Sequence, residues 1–372
     1  MTTRAALLRQ GSEGSAVMDI RRQLSALGFV AAAPLDGGDP AIFGTDLDAA
    51  VRAFQQRRGL LVDGIVGAQT LRSLDEAHWR LGDRLLHFQV SALMRGDDIA
   101  ELQQRLAALG FDAGRADGVF GPQTHAAVQE FQQHTGLTAD GTCGPATLHA
   151  LTRLARPITG GSGAALLEHS ALRSLGSTPA GSTIVIDAGH GGGDHGCTAP
   201  ATASAASLAE ADIAFDIASR IEGRLTAMGA QALLTHAADL AAPLTETERA
   251  DFANRAQADL VISIHTDASE SSHASGAATY YFGTQDGTRH SMVGQRLAQM
   301  IQDEITTSVD LQDGRTHPMT WDLLRLTRMP AVRVEIGYLS NPADAAHLAD
   351  PAFRDSAAEA IARGVVRLFS DA

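Results

Sequence analysis

The chain has 372 residues, enough for two or three domains, and its 44% hydrophobic and 19% charged residues are typical of a soluble globular protein. The formal net charge of -14 argues against nucleic acid and anionic membrane surfaces as main partners. No apolar run reaches the length of a membrane span, and the first residues are too polar for a secretory signal, so the chain as written is expected in the cytoplasm.

The first half of the chain contains a sequence repeat. Three pairs of segments match, namely 14–29 with 96–111, 50–60 with 127–137, and 63–67 with 140–144. In the first copy Val17, Ile20 and Leu24 fall on one face of a helix, and two more short helices follow. Residues 11–80 and 90–155 are therefore predicted to be two small all-α three-helix domains. No cluster of His, Asp or Glu recurs in both copies, which favours binding or scaffolding over catalysis.

A change in composition divides the chain. Residues 156–182 contain the run Thr-Gly-Gly-Ser-Gly and are predicted to be a linker. Residues 183–372 alternate strands with helices, which predicts an α/β domain with a mostly parallel twisted sheet flanked by helices. The predicted strands are 184–186, 232–235, 260–264, 277–282 and 331–335. The predicted helices are 209–228, 246–256, 290–306 and 355–368.

Three of these strands lead into residues with metal-binding or acid–base side chains. The first is followed by a glycine-rich loop that begins near His190, the third runs into His265, and the last ends at Glu335. In open α/β sheets, functional groups gather at the carboxyl ends of the strands, so these three side chains are expected to form one site. Imidazole with carboxylate is the ligand set of catalytic zinc.

Glu210 is a fourth candidate for this site. It lies three residues before Ile213, in a predicted helix whose apolar positions Ile213, Ile217 and Ile221 face the sheet. Its carboxylate is therefore expected to point inward, where an unpaired charge is unfavourable and needs a partner. The alternative is an acidic residue that stabilises the start of the helix through the helix dipole.

The motifs of the repeat indicate a family. Both copies carry Leu-Gly-Phe, Phe-Gln-Gln followed by Gly-Leu, and Asp-Gly-x-x-Gly. On these motifs, residues 11–154 resemble two copies of the peptidoglycan-binding domain that accompanies bacterial cell-wall hydrolases. The resemblance implies that sugar or peptide is held in a shallow groove between helices. The alternative is that the copies pack against the second half of the chain and bind no glycan.

Four motifs occur in order in the second half. They are Ile-Asp-Ala-Gly-His-Gly-Gly at 186–192, Glu-Ala-Asp at 210–212, Ser-Ile-His-Thr-Asp at 263–267, and Val-Glu-Ile-Gly-Tyr-Leu-Ser-Asn-Pro at 334–342. Together they resemble the zinc-dependent N-acetylmuramoyl-L-alanine amidases of the amidase-3 type, over residues 183–370. The resemblance implies that His190, Glu210 and His265 bind Zn²⁺ and that Glu335 is the catalytic acid/base. The implied reaction hydrolyses the amide bond between N-acetylmuramic acid and L-alanine in peptidoglycan or muropeptides.

Three further side chains are candidate substrate contacts. His195 follows His190 in the glycine-rich loop, and either exposure to solvent or substrate contact is favoured over metal binding. Arg325 and Arg328 precede the last predicted strand. They either contact a substrate carboxylate as bidentate donors or lie on a solvated face.

A second functional class fits the same layout. Some actinobacterial proteins with two binding modules before an amidase-like domain, and no export signal, are thought to be cytoplasmic regulators of cell-wall precursor synthesis. Such a regulator is non-catalytic and acts through a protein partner. Peptidoglycan lies outside the cytoplasmic membrane, so an enzyme has to be exported or released to act in the wall or outside the cell. The retained metal ligands favour the enzyme.

Overall fold

The chain forms two compact units in the computed structural model. The structure describes residues 7–34, 38–154, 168, 170, 172–174, 176–199, 207–269, 271–284, 287 and 289–371. One unit comprises residues 1–164 with 284–289, and the other comprises 165–283 with 290–372. Much of the predicted linker at 156–182 lies outside the described residues, and the predicted domain boundaries stay predictions. Among the described helices, none combines the length and the apolar character that a membrane crossing needs.

The first unit is helical, as the repeat predicts. Its helices are α1 (Ser15–Ala26), α2 (Thr45–Arg58), α3 (Ala68–Ala77), α4 (Asp97–Ala108), α5 (Pro122–His134) and α6 (Pro145–Leu154). Each triplet of helices encloses its own apolar cluster. Val17 and Phe54 are buried in the first cluster, and Ile99 and Phe131 are buried in the second. The predicted apolar face of α1 is therefore the face that packs.

A buried glutamine explains the Asp-Gly-x-x-Gly motif. The Nε2 group of Gln132, on α5, donates to Asp140 Oδ1 (2.9 Å), to the Thr142 carbonyl (3.0 Å) and to Thr147 Oγ1 (3.0 Å). Its Oε1 atom accepts from the Gly141 N–H (2.9 Å). Gly141 has a φ of 72°, the left-handed region that glycine adopts without strain. One side chain thus joins a helix, a tight turn and the start of the next helix.

The same arrangement occurs twice more in this unit. Gln55 accepts from the Gly64 N–H and donates to Asp63 and Thr70, and Gln103 accepts from the Gly118 N–H in the same way. Buried polar groups of this kind are stable only when every donor and acceptor has a partner. The three glutamines therefore account for helix-to-loop packing in both copies.

The second unit is an α/β domain. Its strands are β1 (Thr183–Ala188), β2 (Thr198–Ala199), β3 (Leu208–Ala209), β4 (Gln231–Leu234), β5 (Leu260–Asp267), β6 (Ala277–Phe282), β7 (Asp313–Met319) and β8 (Ala331–Tyr338). Its helices are α7 (Glu210–Ala227), α8 (Glu246–Arg255), α9 (Met292–Ser308), α10 (Asp322–Leu326), α11 (Pro342–Ala349) and α12 (Pro351–Ser370). Six strands form one sheet in the order β4-β1-β5-β8-β6-β7, and β2 pairs with β3. All neighbours in the large sheet are parallel except β6 and β8, which confirms the predicted fold class.

Both faces of this sheet are covered. Ile184, Ile186 and Ile262 pack on one side with the apolar stripe of α7 and with α9 and α12. Val185 and Val261 point to the opposite side, where α8 and α10 lie. This alternation is the period-two pattern of a strand buried on both faces.

The structure contains elements that the sequence analysis does not predict. Strand β7 and the short helices α10 and α11 are the main ones. The β7 sequence, Asp-Gly-Arg-Thr-His-Pro-Met, has no apolar alternation, and it includes Pro318. It occupies the edge of the sheet, where a strand pairs on one side only and tolerates proline.

Replacing a glutamine that closes one of these loops is expected to destabilise the first unit. In Gln132→Leu the Gly141 N–H loses its partner and the Thr142 carbonyl keeps only Thr147 Oγ1, which costs roughly 1–3 kcal/mol. Hydrogen–deuterium exchange of the full chain, read by mass spectrometry, should show faster exchange in 122–154 and not in 183–371. Gln133→Leu is the control, because the Gln133 side chain is exposed on the same helix. Equal protection in the two variants would contradict this account.

Candidate metal centre

The loop after β1 holds His190 in a defined orientation. His190 has a φ of 62°, a left-handed conformation that is uncommon for a residue with a side chain. Its Nδ1 atom lies 2.8 Å from Asp194 Oδ2, and its Nε2 atom lies 3.1 Å from Glu210 Oε1. Burial disfavours the imidazolium, but the carboxylates of Glu210 and Asp194 raise the pKa of His190 above its usual value. Both ring nitrogens therefore face acidic oxygens.

Glu210 is the first residue of α7 and points inward, as predicted. Its Oε1 atom lies 2.8 Å from His265 Nδ1 and accepts from the Thr266 N–H (3.2 Å). Its Oε2 atom accepts from the Cys197 N–H (2.9 Å). Burial works to raise the pKa of Glu210, but hydrogen bonds with His190 and His265 hold it well below its usual range. The carboxylate is buried, whereas a simple surface cap would be exposed to solvent.

His265, near the end of β5, is the third member. Its side chain is buried, and this burial lowers the pKa of His265 to about 4, with the nearby charge of Arg333 acting in the same direction. The imidazole is therefore neutral at neutral pH. A neutral imidazole has a free lone pair, which is the form that binds a metal.

These three side chains form a group that fits a divalent cation. One ligand atom from each of His190, Glu210 and His265 lies within 4.8 Å of the other two. Two nitrogens and one carboxylate oxygen are the ligand set of a catalytic zinc site with an open position. The contact of Asp194 with the second nitrogen of His190 is the support that metal-binding histidines usually have.

Glycines leave the space that this group needs. A Cβ atom at Gly196 would lie 2.6 Å from Glu210 Oε2 and 2.7 Å from His190 Cδ2. A Cβ atom at Gly189 would overlap the ring of His265. The glycine-rich loop therefore lets the backbone approach all three side chains closely.

Glu335 stands beside the candidate metal centre. It lies on β8 directly opposite His265 on β5, so both side chains project from the same face of the sheet. Burial raises the pKa of Glu335 to about 7, although the charge of Arg333 opposes that shift. A carboxyl group with this pKa can both accept and donate a proton near neutral pH.

The predicted substrate contacts lie outside the group of ligand atoms. His195 is exposed in the glycine-rich loop, and its carbonyl accepts from the Ala211 N–H (3.2 Å). Arg325 is half-buried on α10. Arg328 is exposed, and its N–H donates to Asn254 Oδ1 (2.9 Å). A role of these three residues in substrate binding stays a prediction.

A buried ion pair below the candidate centre is not among the features predicted from the sequence. Arg249, on α8, donates to Asp187 Oδ1 (2.7 Å), and both side chains are almost fully buried, at 4% and 0% exposed. Asp187 also accepts from Thr235 Oγ1 (2.7 Å) and Ser263 Oγ (2.6 Å). The guanidinium donates as well to the His190 carbonyl (2.5 Å), so it secures the loop that carries this candidate ligand. An aspartate within an apolar strand is the signal, because a buried charge needs a partner.

A second missed residue is Arg333. It donates from Nε to Glu335 Oε1 (2.8 Å) and from Nη1 to Glu246 Oε1 (3.3 Å). Its guanidinium carbon lies 4.4 Å from the ring centroid of Trp321. The signal in the sequence is spacing, since residues two apart on a strand share one face.

Both halves of the chain match known protein families. Residues 184–367 match the family described as N-acetylmuramoyl-L-alanine amidase. Residues 13–74 and 95–151 match a peptidoglycan binding domain family.

Individual relatives extend this result. The chain is 46% identical over 367 residues to N-acetylmuramoyl-L-alanine amidase CwlM of Mycobacterium tuberculosis, which covers 97% of this chain and 89% of the relative. It is 35% identical over 189 residues to amidase LytC of Bacillus subtilis, covering 51% of this chain and 36% of LytC. A crystal structure of an N-acetylmuramoyl-L-alanine amidase from Clostridium difficile 630 is 29% identical, with a TM-score of 0.45 over 50% of this chain and 95% of that one. The 46% identity over nearly the whole chain shows that it belongs to the N-acetylmuramoyl-L-alanine amidase family.

Proposed function

We propose that the protein hydrolyses the amide bond between N-acetylmuramic acid and L-alanine of peptidoglycan, with Zn²⁺ bound by His190, Glu210 and His265. The observation that carries the proposal is the group of three ligand atoms within 4.8 Å of one another, beside the buried carboxyl of Glu335. Similarity to relatives named as amidases supports the choice of substrate.

The side chains of the centre suit this cation. His265 is neutral and Glu210 is ionised at neutral pH, the protonation states of metal ligands. Asp194 holds the Nδ1 side of the His190 ring and leaves Nε2 directed at the centre. When bound there, Zn²⁺ supplies a Lewis acid for the amide carbonyl and lowers the pKa of a water molecule.

Glu335 is the proposed acid/base. Its carboxylate takes a proton from the attacking water as the new bond forms between the water oxygen and the carbonyl carbon. It then gives that proton to the nitrogen as the C–N bond breaks. The products are a free carboxylate on the lactyl group of the sugar and a free amino group on L-alanine. A pKa of about 7 suits both transfers.

The two helical repeats, at 11–80 and 90–155, are proposed to hold peptidoglycan near the catalytic domain at 183–372. The match of both repeats to a peptidoglycan binding domain family supports this role. The alternative, a non-catalytic cytoplasmic regulator with a protein partner in cell-wall synthesis, stays a prediction, as does the compartment. The complete set of metal ligands in the described residues supports the enzyme.

Removing the proposed base is expected to abolish most of the activity. Glu335→Gln keeps the size of the side chain but cannot accept a proton, so kcat on a muropeptide should fall by about 10²- to 10⁴-fold. Release of stem peptide, followed by mass spectrometry on zinc-loaded protein, measures this. Glu359→Gln, which changes an exposed carboxylate on α12, should leave the rate unchanged. A fully active Glu335→Gln variant would exclude Glu335 as the base.

The rate is expected to fall in acid. The raised pKa means that Glu335 is protonated below about pH 7, and only the deprotonated form accepts a proton from water. Therefore kcat/KM should fall as the pH drops below the pKa of Glu335. A bound cation lowers that pKa, so it moves the fall in kcat/KM to lower pH. The measurement is a profile of kcat/KM from pH 4.5 to 8.5, with zinc occupancy determined at each point. A rate that rises toward acid at constant occupancy would contradict the assignment.

A further inference from the structure

Arg333 binds only one of the two oxygens of Glu335. Its Nε atom lies 2.8 Å from Glu335 Oε1, and its Nη2 atom lies 2.7 Å from the same oxygen. The other oxygen, Oε2, is buried and has no hydrogen-bond partner within the part of the chain that the structure describes. The two oxygens of this carboxylate are therefore not equivalent.

An unpaired buried carboxylate oxygen is unfavourable unless something binds to it. Most buried side-chain oxygens in proteins have a partner, so an exception on β8 directly opposite His265 marks a place for a reacting group. We propose that Arg333 is a positioning residue for the amidase reaction, which holds Glu335 by Oε1 so that Oε2 faces the water. The inference rests on the proposed function, because it needs Glu335 to act as the base.

Arg333 is itself fixed by two other contacts. Its Nη1 atom lies 3.3 Å from Glu246 Oε1, at the start of α8. Its guanidinium carbon lies 4.4 Å from the ring centroid of Trp321, within the range of a cation–π contact. With a carboxylate on each side and an indole next to its plane, the guanidinium has one orientation. The position of Oε2 follows from that orientation.

The shape of the guanidinium distinguishes positioning from charge neutralisation. Arginine presents two donors in a rigid fork, whereas lysine presents one rotating ammonium group. If Arg333 only balances the charge of Glu335, lysine should serve equally well. If it fixes the carboxylate, lysine should leave Glu335 free to rotate and lower the rate of the chemical step.

The first test compares Arg333→Lys with wild type on a muropeptide, using zinc-loaded full-length protein. We expect kcat to fall at least tenfold with KM within about threefold, because the substrate is still bound but the base is misplaced. Arg333→Lys should cause no further fall in kcat in a Glu335→Gln background, because residue 335 then accepts no proton. Arg296→Lys, a matched change at a half-exposed arginine on α9, should retain the wild-type rate.

A second variant tests the inference if the Arg333→Lys protein does not fold. In Arg333→Ala, added ethylguanidinium should restore part of the lost kcat, and added ethylammonium should restore less. Rescue that prefers the planar cation supports positioning, whereas equal rescue by both cations overturns it.

The outcomes separate this inference from the function on which it rests. Cleavage by wild type with full activity in Arg333→Lys would overturn the positioning role alone. Full activity in Glu335→Gln would overturn the positioning role together with the assigned base. No cleavage by zinc-loaded wild type would overturn the proposed function itself.

Discussion

Two opposite charges on one face of the sheet constrain the structure around the metal centre. Asp187 on β1 and Arg333 on β8 occupy the same row, with Ser263 of β5 between them. The first turn of α8 supplies a partner for each, since Arg249 contacts Asp187 and Glu246 contacts Arg333. Residues three apart share a helix face, so one helix reaches both charges. A charge left unpaired here would be strongly destabilising, which fixes how α8 sits on the sheet.

The geometry of the candidate site follows from this pairing. Arg249 also donates to the carbonyl of His190, so the ion pair with Asp187 extends to the loop that carries a proposed metal ligand. Arg333 also holds Glu335, so the ion pair with Glu246 extends to the proposed base. The ligand loop and the acid/base therefore share a single support. Electrostatic neutralisation inside the domain and the arrangement of its reactive groups depend on the same contacts.

Sequence reasoning succeeds where the information is local. Apolar runs and helical spacing predict the fold class. The predicted last strand is too short, since β8 continues three residues beyond Glu335, yet His265 and Glu335 still lie side by side because β5 and β8 are paired in parallel. The pairing of Arg333 with Glu335 also has a local signal, their spacing of two, but Arg333 is not among the residues predicted from the sequence. The partner of Asp187 cannot be identified from the sequence in this way. Arg249 is far from it along the chain, and the two meet only through packing of α8 on the sheet. Strand β7 escapes prediction because an edge strand needs no apolar alternation.

The central claim is that His190, Glu210 and His265 form a zinc site, and a zinc titration tests it most directly. Competition with a chromophoric chelator gives stoichiometry and affinity for the wild-type protein, for Glu210→Gln, and for Asp212→Asn, an exposed carboxylate in the same helical turn. The account predicts one tightly bound ion in wild type and Asp212→Asn, and an affinity lower by about 100-fold or more in Glu210→Gln. Equal affinity in all three proteins, or no binding by folded wild type, would contradict it.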